Sequence, residues 1–236
     1  MSEERGFMRV FRHWAEMPAE LKGGTIAIGN FDGLHRGHVL TFEPHPRRLF
    51  RPADPPFRLA PFAVKMRRLA ELGLDFALVL HFDEAFASTP ADAYITDILQ
   101  GGLGAAHIVV GEDFRFGHRR GGDVERLRAC GIETTAAFQV LDEMAEPISS
   151  SRIRALLAEG RPREAARLLG RAWETEGRVQ KGDQRGRELG YPTANIPPDE
   201  DALRPRYGIY AIEARAADMP GSPWIGGVAN WGIRPM

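Results

Sequence analysis

The sequence predicts an α/β fold, in which a doubly wound parallel sheet fills the N-terminal part and a small, incomplete β-barrel follows it. Three observations carry this expectation. An apolar run, Thr25-Ile26-Ala27-Ile28, feeds directly into a glycine-rich turn, Gly29-Asn30-Phe31-Asp32-Gly33-Leu34-His35-Arg36-Gly37-His38. Strand-like runs then alternate with stretches of helical spacing as far as Leu169. Beyond Gly170 the texture changes to short β-like pieces separated by Gly and Pro, as in a small barrel.

Taken in order, Thr25 to Ile28 reads as a short buried strand. Phe62 to Leu72 has helical spacing, with Val64, Leu69 and Leu72 as apolar positions and Gly73 as its stop. Phe76 to Leu80 is a second buried strand. Pro90 opens a helix through Tyr94, Ile95, Ile98 and Leu99, and Ala106 to Val110 is a strand running into Gly111. A parallel, doubly wound sheet holds its ligands at the carboxyl ends of its strands, where Gly29 and Gly111 both lie. Ser149, Ser150 and Ser151 precede a helical apolar pattern and mark a helix N-terminus. Gly160-Arg161-Pro162 interrupts, a short helix runs from Glu164 to Leu169, and Gly170 ends it. Val179, Tyr191, Ile196, Tyr207 to Ile212 and Trp224-Ile225 are the β-like pieces beyond. The domain boundary is expected near Gly170, giving domains 1–170 and 171–236.

A strand feeding a glycine-rich turn is where α/β proteins hold phosphates. Gly33 and Gly37 allow the backbone to approach a ligand closely, and His35 and His38 can face one phosphate from successive positions. Alone, H-x-G-H also fits a zinc half-site or two solvated histidines. Ser149 to Ser151, with Arg152 and Arg154 after them, present hydroxyls and free N–H groups suited to phosphate oxygens; an ordinary cap followed by a solvated basic turn is the alternative.

Together these blocks resemble the bacterial bifunctional riboflavin kinase/FMN adenylyltransferase family, also called FAD synthetase. The first matches its nucleotidyltransferase H-x-G-H signature, and Ser149-Ser150-Ser151-Arg152-Ile153-Arg154 its Ser-Ser-Thr-x-x-Arg signature, with Ser151 where threonine is usual. Thr41-Phe42-Glu43-Pro44-His45-Pro46 resembles T-F-x-P-H-P, and Gly111 to Gly117 resembles G-x-D-F-R-F-G. Lys181-Gly182-Asp183 and Gly186 to Asn195, with Pro192-Thr193-Ala194-Asn195, resemble the opening of the kinase module, and Asn230 to Pro235 is similar to another family motif. The P-T-A-N block distinguishes the chain from other H-x-G-H adenylyltransferases.

The resemblance implies that His35 and His38 contact the ATP phosphates, while Gly29, Asn30, Phe31, Asp32 and Gly37 shape the turn that receives the nucleotide. It implies that Ser149, Ser150, Ser151 and Arg154 hold the departing β- and γ-phosphates, with His35, His38, Ser150 and Arg154 as the catalytic set. Phe42, Pro44, His45, Asp113, Phe114, Arg115 and Phe116 become flavin or adenine contacts. For Phe114 and Phe116 a plain core role is the alternative, and for His45 a turn histidine between two prolines. In the kinase module, Gly182, Gly186 and Gly190 form a phosphate-covering loop, and Thr193 and Asn195 hold Mg²⁺ and phosphate, since hydroxyl and amide oxygens suit a hard cation. Riboflavin, FMN, FAD and ATP are the implied substrates and products, with Mg²⁺ as cofactor. A non-catalytic flavin-binding protein is the reading from another class.

Composition limits the partners without suggesting the chemistry. A formal net charge of -1 gives no overall bias toward nucleic acid or an acidic membrane surface, so the ligand field is local. Cys130 is the single cysteine, which excludes an internal disulfide framework and suits a reducing cytoplasm. No apolar run reaches membrane-spanning length, and the first residues lack a signal-peptide layout. Oligomeric state is not legible. Two departures from the family stand out. The family kinase's catalytic glutamate lies downstream of N-x-G-x-R-P, beyond Met236. Two parallel strands need a crossover of about a dozen residues or more, and Phe31 to Leu40 is too short for the motif and a helix. The expectation is therefore a longer protein, with residues absent between Leu40 and Thr41 and beyond Pro235.

Overall fold

A computed structural model describes residues 8–30, 38–182, 190, 193–219 and 221–232. The chain forms two compact units, one of Met1–Asp54 and Lys65–Pro147, the other of Pro55–Val64 and Ile148–Met236.

The first unit is built on six strands: β1 (Arg9–Phe11), β2 (Thr25–Ile28), β3 (His38–Glu43), β4 (Phe76–His81), β5 (His107–Gly111) and β6 (Glu133–Ala137). Their order is β1-β4-β3-β2-β5-β6, and every neighbouring pair is parallel. This is the expected α/β class. From β2 the chain winds outward through β3 and β4, then returns to place β5 on the other side of β2. The order thus reverses between β2 and β5, the crevice where open α/β sheets bind ligands. Gly29 and Gly111 flank it.

Apolar pattern accounts for the central elements. In β4, Phe76 to Leu80 are all buried, as a strand covered on both faces requires. Helices α1 (Pro46–Phe50), α2 (Phe62–Glu71), α3 (Glu84–Ala87), α4 (Ala91–Ala93) and α5 (Val124–Ala129) join the strands. From α4 the chain continues as a π-helical stretch, Tyr94–Gly102, that buries Tyr94, Ile95, Ile98 and Leu99. These pack with Ile26, Leu40, Phe76, Leu78, Leu80 and Ile108 in one core. Gly73 follows α2 at a φ of +75°, a left-handed stop that glycine adopts without strain.

Leu40 and Thr41 are consecutive residues of β3, both 0% exposed, in a strand that runs from His38 to Glu43. The connection that precedes it is short, because only residues 29–37 separate β2 from its parallel neighbour β3. Ile26 pairs with His38, Ala27 with Val39 and Ile28 with Leu40. To reach that register from so short a connection, the chain uses His38 itself as the first residue of the strand.

In the second unit, α6 (Ser150–Ala158) and α7 (Pro162–Leu169) pack around Leu59, Ile153, Leu157, Ala165 and Leu203. Residues 55–64 join this unit through backbone bonds from Phe57 and Arg58 to the Asp201 carbonyl, and Trp173 Nε1 donates to the Leu59 carbonyl at 2.8 Å. Gly170 ends α7 at a φ of +69°. Among the described residues, the β structure here is one antiparallel pair, β7 (Gly208–Ala214) with β8 (Ile225–Trp231), and two isolated bridges, Gln180 with Asn195 and Arg58 with Ala202. Val179 and Ile196 are not strand residues. Tyr191 lies outside the described residues.

Because Leu40 is fully enclosed in the central strand of the larger sheet, Leu40→Ala should cost about 2–5 kcal/mol of stability. Denaturant titration of the two proteins measures this, and a loss below about 1 kcal/mol would contradict the packing described.

Candidate active site

Three blocks meet at the carboxyl edge of the parallel sheet. Gly29 and Asn30 leave β2, and the Gly29 N–H donates to the Leu40 carbonyl at 3.2 Å, which fastens the turn to β3. Lys65 Nζ donates to the Asn30 carbonyl at 3.1 Å. Phe31, Asp32, His35 and Gly37 lie outside the described residues. Phe42 and Glu43 end β3, and the Glu43–Pro44 bond is cis. His45 then caps α1, its Nδ1 accepting from the Arg47 N–H at 3.1 Å. One ring nitrogen therefore has a local structural partner, which supports the turn-histidine reading for that atom. The third block follows β5: Gly111, Glu112, Asp113, Phe114, Arg115, Phe116 and Gly117.

Aromatic rings form a ladder along this edge. Phe42 meets Phe82 at 5.5 Å, Phe82 meets Phe86 at 5.6 Å, Phe86 meets Tyr94 at 6.2 Å and Tyr94 meets Phe116 at 5.2 Å. Phe114 stacks on Phe116 at 5.6 Å. Phe50 extends the row from Phe82 at 5.9 Å and is 67% exposed. Tyr94 and Phe116 are buried, so the apolar faces open to a planar heterocycle are those of the half-buried Phe42, Phe82, Phe86 and Phe114 and the exposed Phe50. Phe116 is buried and belongs to the core, while Phe114 is partly buried against it. A side chain at Gly122 would collide with the Phe116 ring, so this glycine fixes where Phe116 sits. Arg115 is held 3.5 Å from Asp123. Tyr94 is almost wholly buried, burial pushes its phenol well above the usual range, and its hydroxyl has no partner among the described residues.

His38 departs from the position the resemblance implies. It occupies the amino end of β3, about 16 Å along the strand from Glu43 at roughly 3.3 Å per residue. Its ring stacks on Phe76 at 4.1 Å, its Nδ1 lies 3.5 Å from an Asp75 carboxylate oxygen, and it fills the space over Gly24 that a Cβ would take. The structure does not bring it to the carboxyl edge with Asn30. The reason is the short connection to β3, which draws the last residue of the motif into the strand.

In the second unit, Ser149 is the N-cap of α6, its hydroxyl accepting from the Arg152 N–H at 3.3 Å. Ser150 and Ser151 form the first turn, and their amides lie among the N–H groups that a helix leaves without intrahelical acceptors. Arg154 is held by its Nε, which donates to the Phe57 carbonyl at 2.7 Å, and its guanidinium lies 5.8 Å from the centre of the Phe57 ring. Asn195 pairs with Gln180 through the backbone, and its side-chain amide lies against Gly182, where any Cβ would collide with it. Thr193, Asn195 and Gly190 are exposed. Among the described residues there is no group of three or more His, Cys, Asp or Glu side chains able to hold a metal, and no helix long and apolar enough to cross a membrane.

Sequence reading missed Lys65 and most of the aromatic ladder. Lys65 offered one signal, as one of only three lysines among 31 basic residues. Phe82 and Phe86 offered their i, i+4 spacing.

Comparison with known proteins identifies two families along the chain. Residues 39–152 match the FAD synthetase family and residues 169–236 the riboflavin kinase family. A protein of Escherichia coli K12 named bifunctional riboflavin kinase/FMN adenylyltransferase is 37% identical over 250 positions, covering 97% of this chain and 78% of the relative. A Pseudomonas fluorescens protein of the same name is 36% identical over the same shares. A crystal structure titled macrolide-efflux protein from Streptococcus pneumoniae superposes with a TM-score of 0.74 at 24% identity, over 98% of this chain and 86% of that one. That likeness speaks for the fold.

Burial holds the His38 imidazole below its usual 6.5, with Asp75 pulling weakly the other way. The unfolded chain therefore takes up this proton first as pH falls, and His38 withdraws stability progressively below about pH 6.5. Thermal midpoints measured between about pH 7.5 and 5.5 should drop less for His38→Phe, which keeps a stacked ring and loses the proton, than for the parent. Identical pH profiles would contradict this.

Proposed function

The chain belongs to the bifunctional riboflavin kinase/FMN adenylyltransferase family, and from that premise we propose that it is an enzyme making FMN and FAD from riboflavin and ATP. The observation that carries the adenylation half is the gathering of the Gly29-Asn30 turn, the Phe42-to-Pro46 segment and the Asp113-to-Phe116 segment at the carboxyl edge, beside the reversal of strand order. For the kinase half the support is the Pro192-to-Asn195 block inside the matched residues 169–236. The module boundary is proposed near Gly170, with 1–170 as adenylyltransferase and 171–236 as kinase, the latter built as a β-barrel.

In adenylation, an FMN phosphate oxygen bonds to the α-phosphorus of ATP as the bond to the bridging oxygen breaks and pyrophosphate leaves. No protein nucleophile is needed, so the work is alignment and charge stabilisation. Gly29, Asn30 and His35, with Phe31, Asp32 and Gly37 around them, are assigned to the ATP phosphates. Ser149, Ser150, Ser151 and Arg154 are assigned to the β- and γ-phosphates, for which an anchored guanidinium provides bidentate geometry. The isoalloxazine ring is assigned to the aromatic ladder through Phe42, Phe114 and Phe116, with Pro44, His45, Asp113 and Arg115 at its polar margin. His38, at the other end of β3, is left out of the reacting set.

In the kinase module, Gly182 and Gly190 are assigned to the phosphate-covering loop and Thr193 and Asn195 to Mg²⁺. The donor set fits a hard cation, since both supply neutral oxygens and the Asn195 amide is held over a glycine that leaves room for it. Mg²⁺ when bound would offset phosphate charge. The proposed setting is the cytoplasm, with small-molecule substrates and neither nucleic acid nor membrane as partner.

The test is chromatography of reactions containing the full chain, ATP and either riboflavin or FMN, with FMN and FAD the expected products; absence of both would end the proposal. Thr193→Ala or Asn195→Ala should suppress FMN formation while FAD synthesis from supplied FMN stays within about threefold, and equal losses would argue against separate modules. Loss of a transition-state donor costs on the order of a hundredfold or more. His38→Ala should stay well short of that in FAD synthesis, and a loss of that size would return His38 to the reacting set.

A further inference from the structure

Lys65 belongs to none of the blocks that carry the functional reading, yet it is one of the least expected residues in the fold. It lies in the first turn of α2, where the helix dipole disfavours a cation, and it is only 5% exposed. A buried ammonium is retained only with good hydrogen-bond partners. Lys65 Nζ donates to the Asn30 carbonyl at 3.1 Å and to Thr41 Oγ1 at 3.4 Å. Thr41 is itself fully buried.

One acceptor lies in the turn beyond β2 and the other within β3. Asn30 is the second residue after β2, in the turn assigned to ATP. Thr41 precedes by one residue the Phe42-to-Pro46 segment assigned to FMN. One cation therefore ties together the ends of the two adjacent strands that deliver the two reactants. We propose that Lys65 is a positioning residue for adenylyl transfer, its ammonium holding the ATP-binding turn at a fixed offset from the FMN-binding end of β3; this rests on the reading of the first unit as an FMN adenylyltransferase. Charge-assisted donation makes this tie stiffer than a neutral donor would. In-line attack on the α-phosphorus depends on such an offset, since errors of about 1 Å in reactant placement cost on the order of a hundredfold in rate.

The test uses the full chain carrying Lys65→Met, Thr41→Val, both together, or Lys65→Arg. Steady-state FAD formation is read for kcat and for the KM of FMN and ATP, beside thermal midpoints and amide hydrogen exchange of segments 25–30 and 41–46. Lys65→Met should lower kcat about tenfold or more while each KM changes by less than about threefold, and exchange should rise at both strand ends. Thr41→Val should shift kcat the same way but less, the double variant should be no worse than Lys65→Met, and Lys65→Arg should recover part of the loss. An unchanged kcat, strictly additive losses, or a lower melting point without faster exchange at the two ends would overturn the proposal. If Lys65→Met does not fold, Thr41→Val decides by the same readouts. Should the parent chain form no FAD, the adenylyltransferase reading fails, and the exchange data still decide whether Lys65 couples the two strand ends.

Discussion

The parallel pairing of β2 with β3 is the constraint on which the rest of the first unit depends. It sets Ile28 beside Leu40, with the strands about 4.8 Å apart in the hydrogen-bonding direction, so the turn after Ile28 opens alongside the last residues of β3, Thr41 to Glu43. Because β5 lies on the other flank of β2, the Gly111 segment joins them from the opposite side. The Gly29 N–H to Leu40 carbonyl bond and the Lys65 contacts fasten the turn after β2 to β3. The same pairing has a cost for the motif that precedes it. With only nine residues between the strands, His38 is claimed by the sheet and stacks on Phe76, far from the edge where the ligands are expected.

What was legible in the sequence follows from how each element is buried. β2, β4 and the strand into Gly111 were readable as short apolar runs, fully buried in β4 and alternating between buried and less buried positions in β2 and β5, and α2 was readable because an amphipathic face writes itself at helical spacing. Thr25 to Ile28 was bounded to the residue. β1 and β6 were not legible, since Arg9-Val10-Phe11 and Glu133-Thr134-Thr135-Ala136-Ala137 are edge strands whose residues are mostly exposed or half-exposed and carry no strong pattern. β3 was missed for a different reason. Its first residue also completes an H-x-G-H signature, and the motif reading competed with the strand reading for His38. The match to the FAD synthetase family begins at Val39, the next residue. The alignment with the Escherichia coli relative spans 250 positions, more than the 236 residues of this chain, so that relative carries residues with no counterpart here. The stretch from Phe31 to Leu40 was read as too short to hold both the motif and a crossover helix, and only residues 29–37 separate β2 from β3.

The candidate site divides the same way. Motif residues announce themselves by type and spacing, whereas the groups that hold them depend on which surfaces the fold brings together. The ladder from Phe42 through Phe82, Phe86 and Tyr94 to Phe116 draws on three separate stretches of chain, and only the finished sheet makes it continuous. Lys65 is legible as an oddity of composition but not as a tie between strands. Asn30 and Thr41, which accept from it, are 35 and 24 residues away.

Charge completes the physical case for a preorganised site. With a net charge of -1 the chain has no long-range field to gather phosphates, so it must rely on donors fixed in place before the ligand arrives. Several of its cations are so fixed. Arg154 is anchored by its Nε to the Phe57 carbonyl and lies near that residue's ring, and Arg115 is held beside Asp123. An anchored guanidinium has already lost most of its side-chain freedom during folding, so engaging a phosphate orders little more of it. Lys65 carries this arrangement furthest inward. Its charge contributes by fixing the backbone of Asn30 rather than by reaching solvent, which makes the geometry of the turn a property of the folded core.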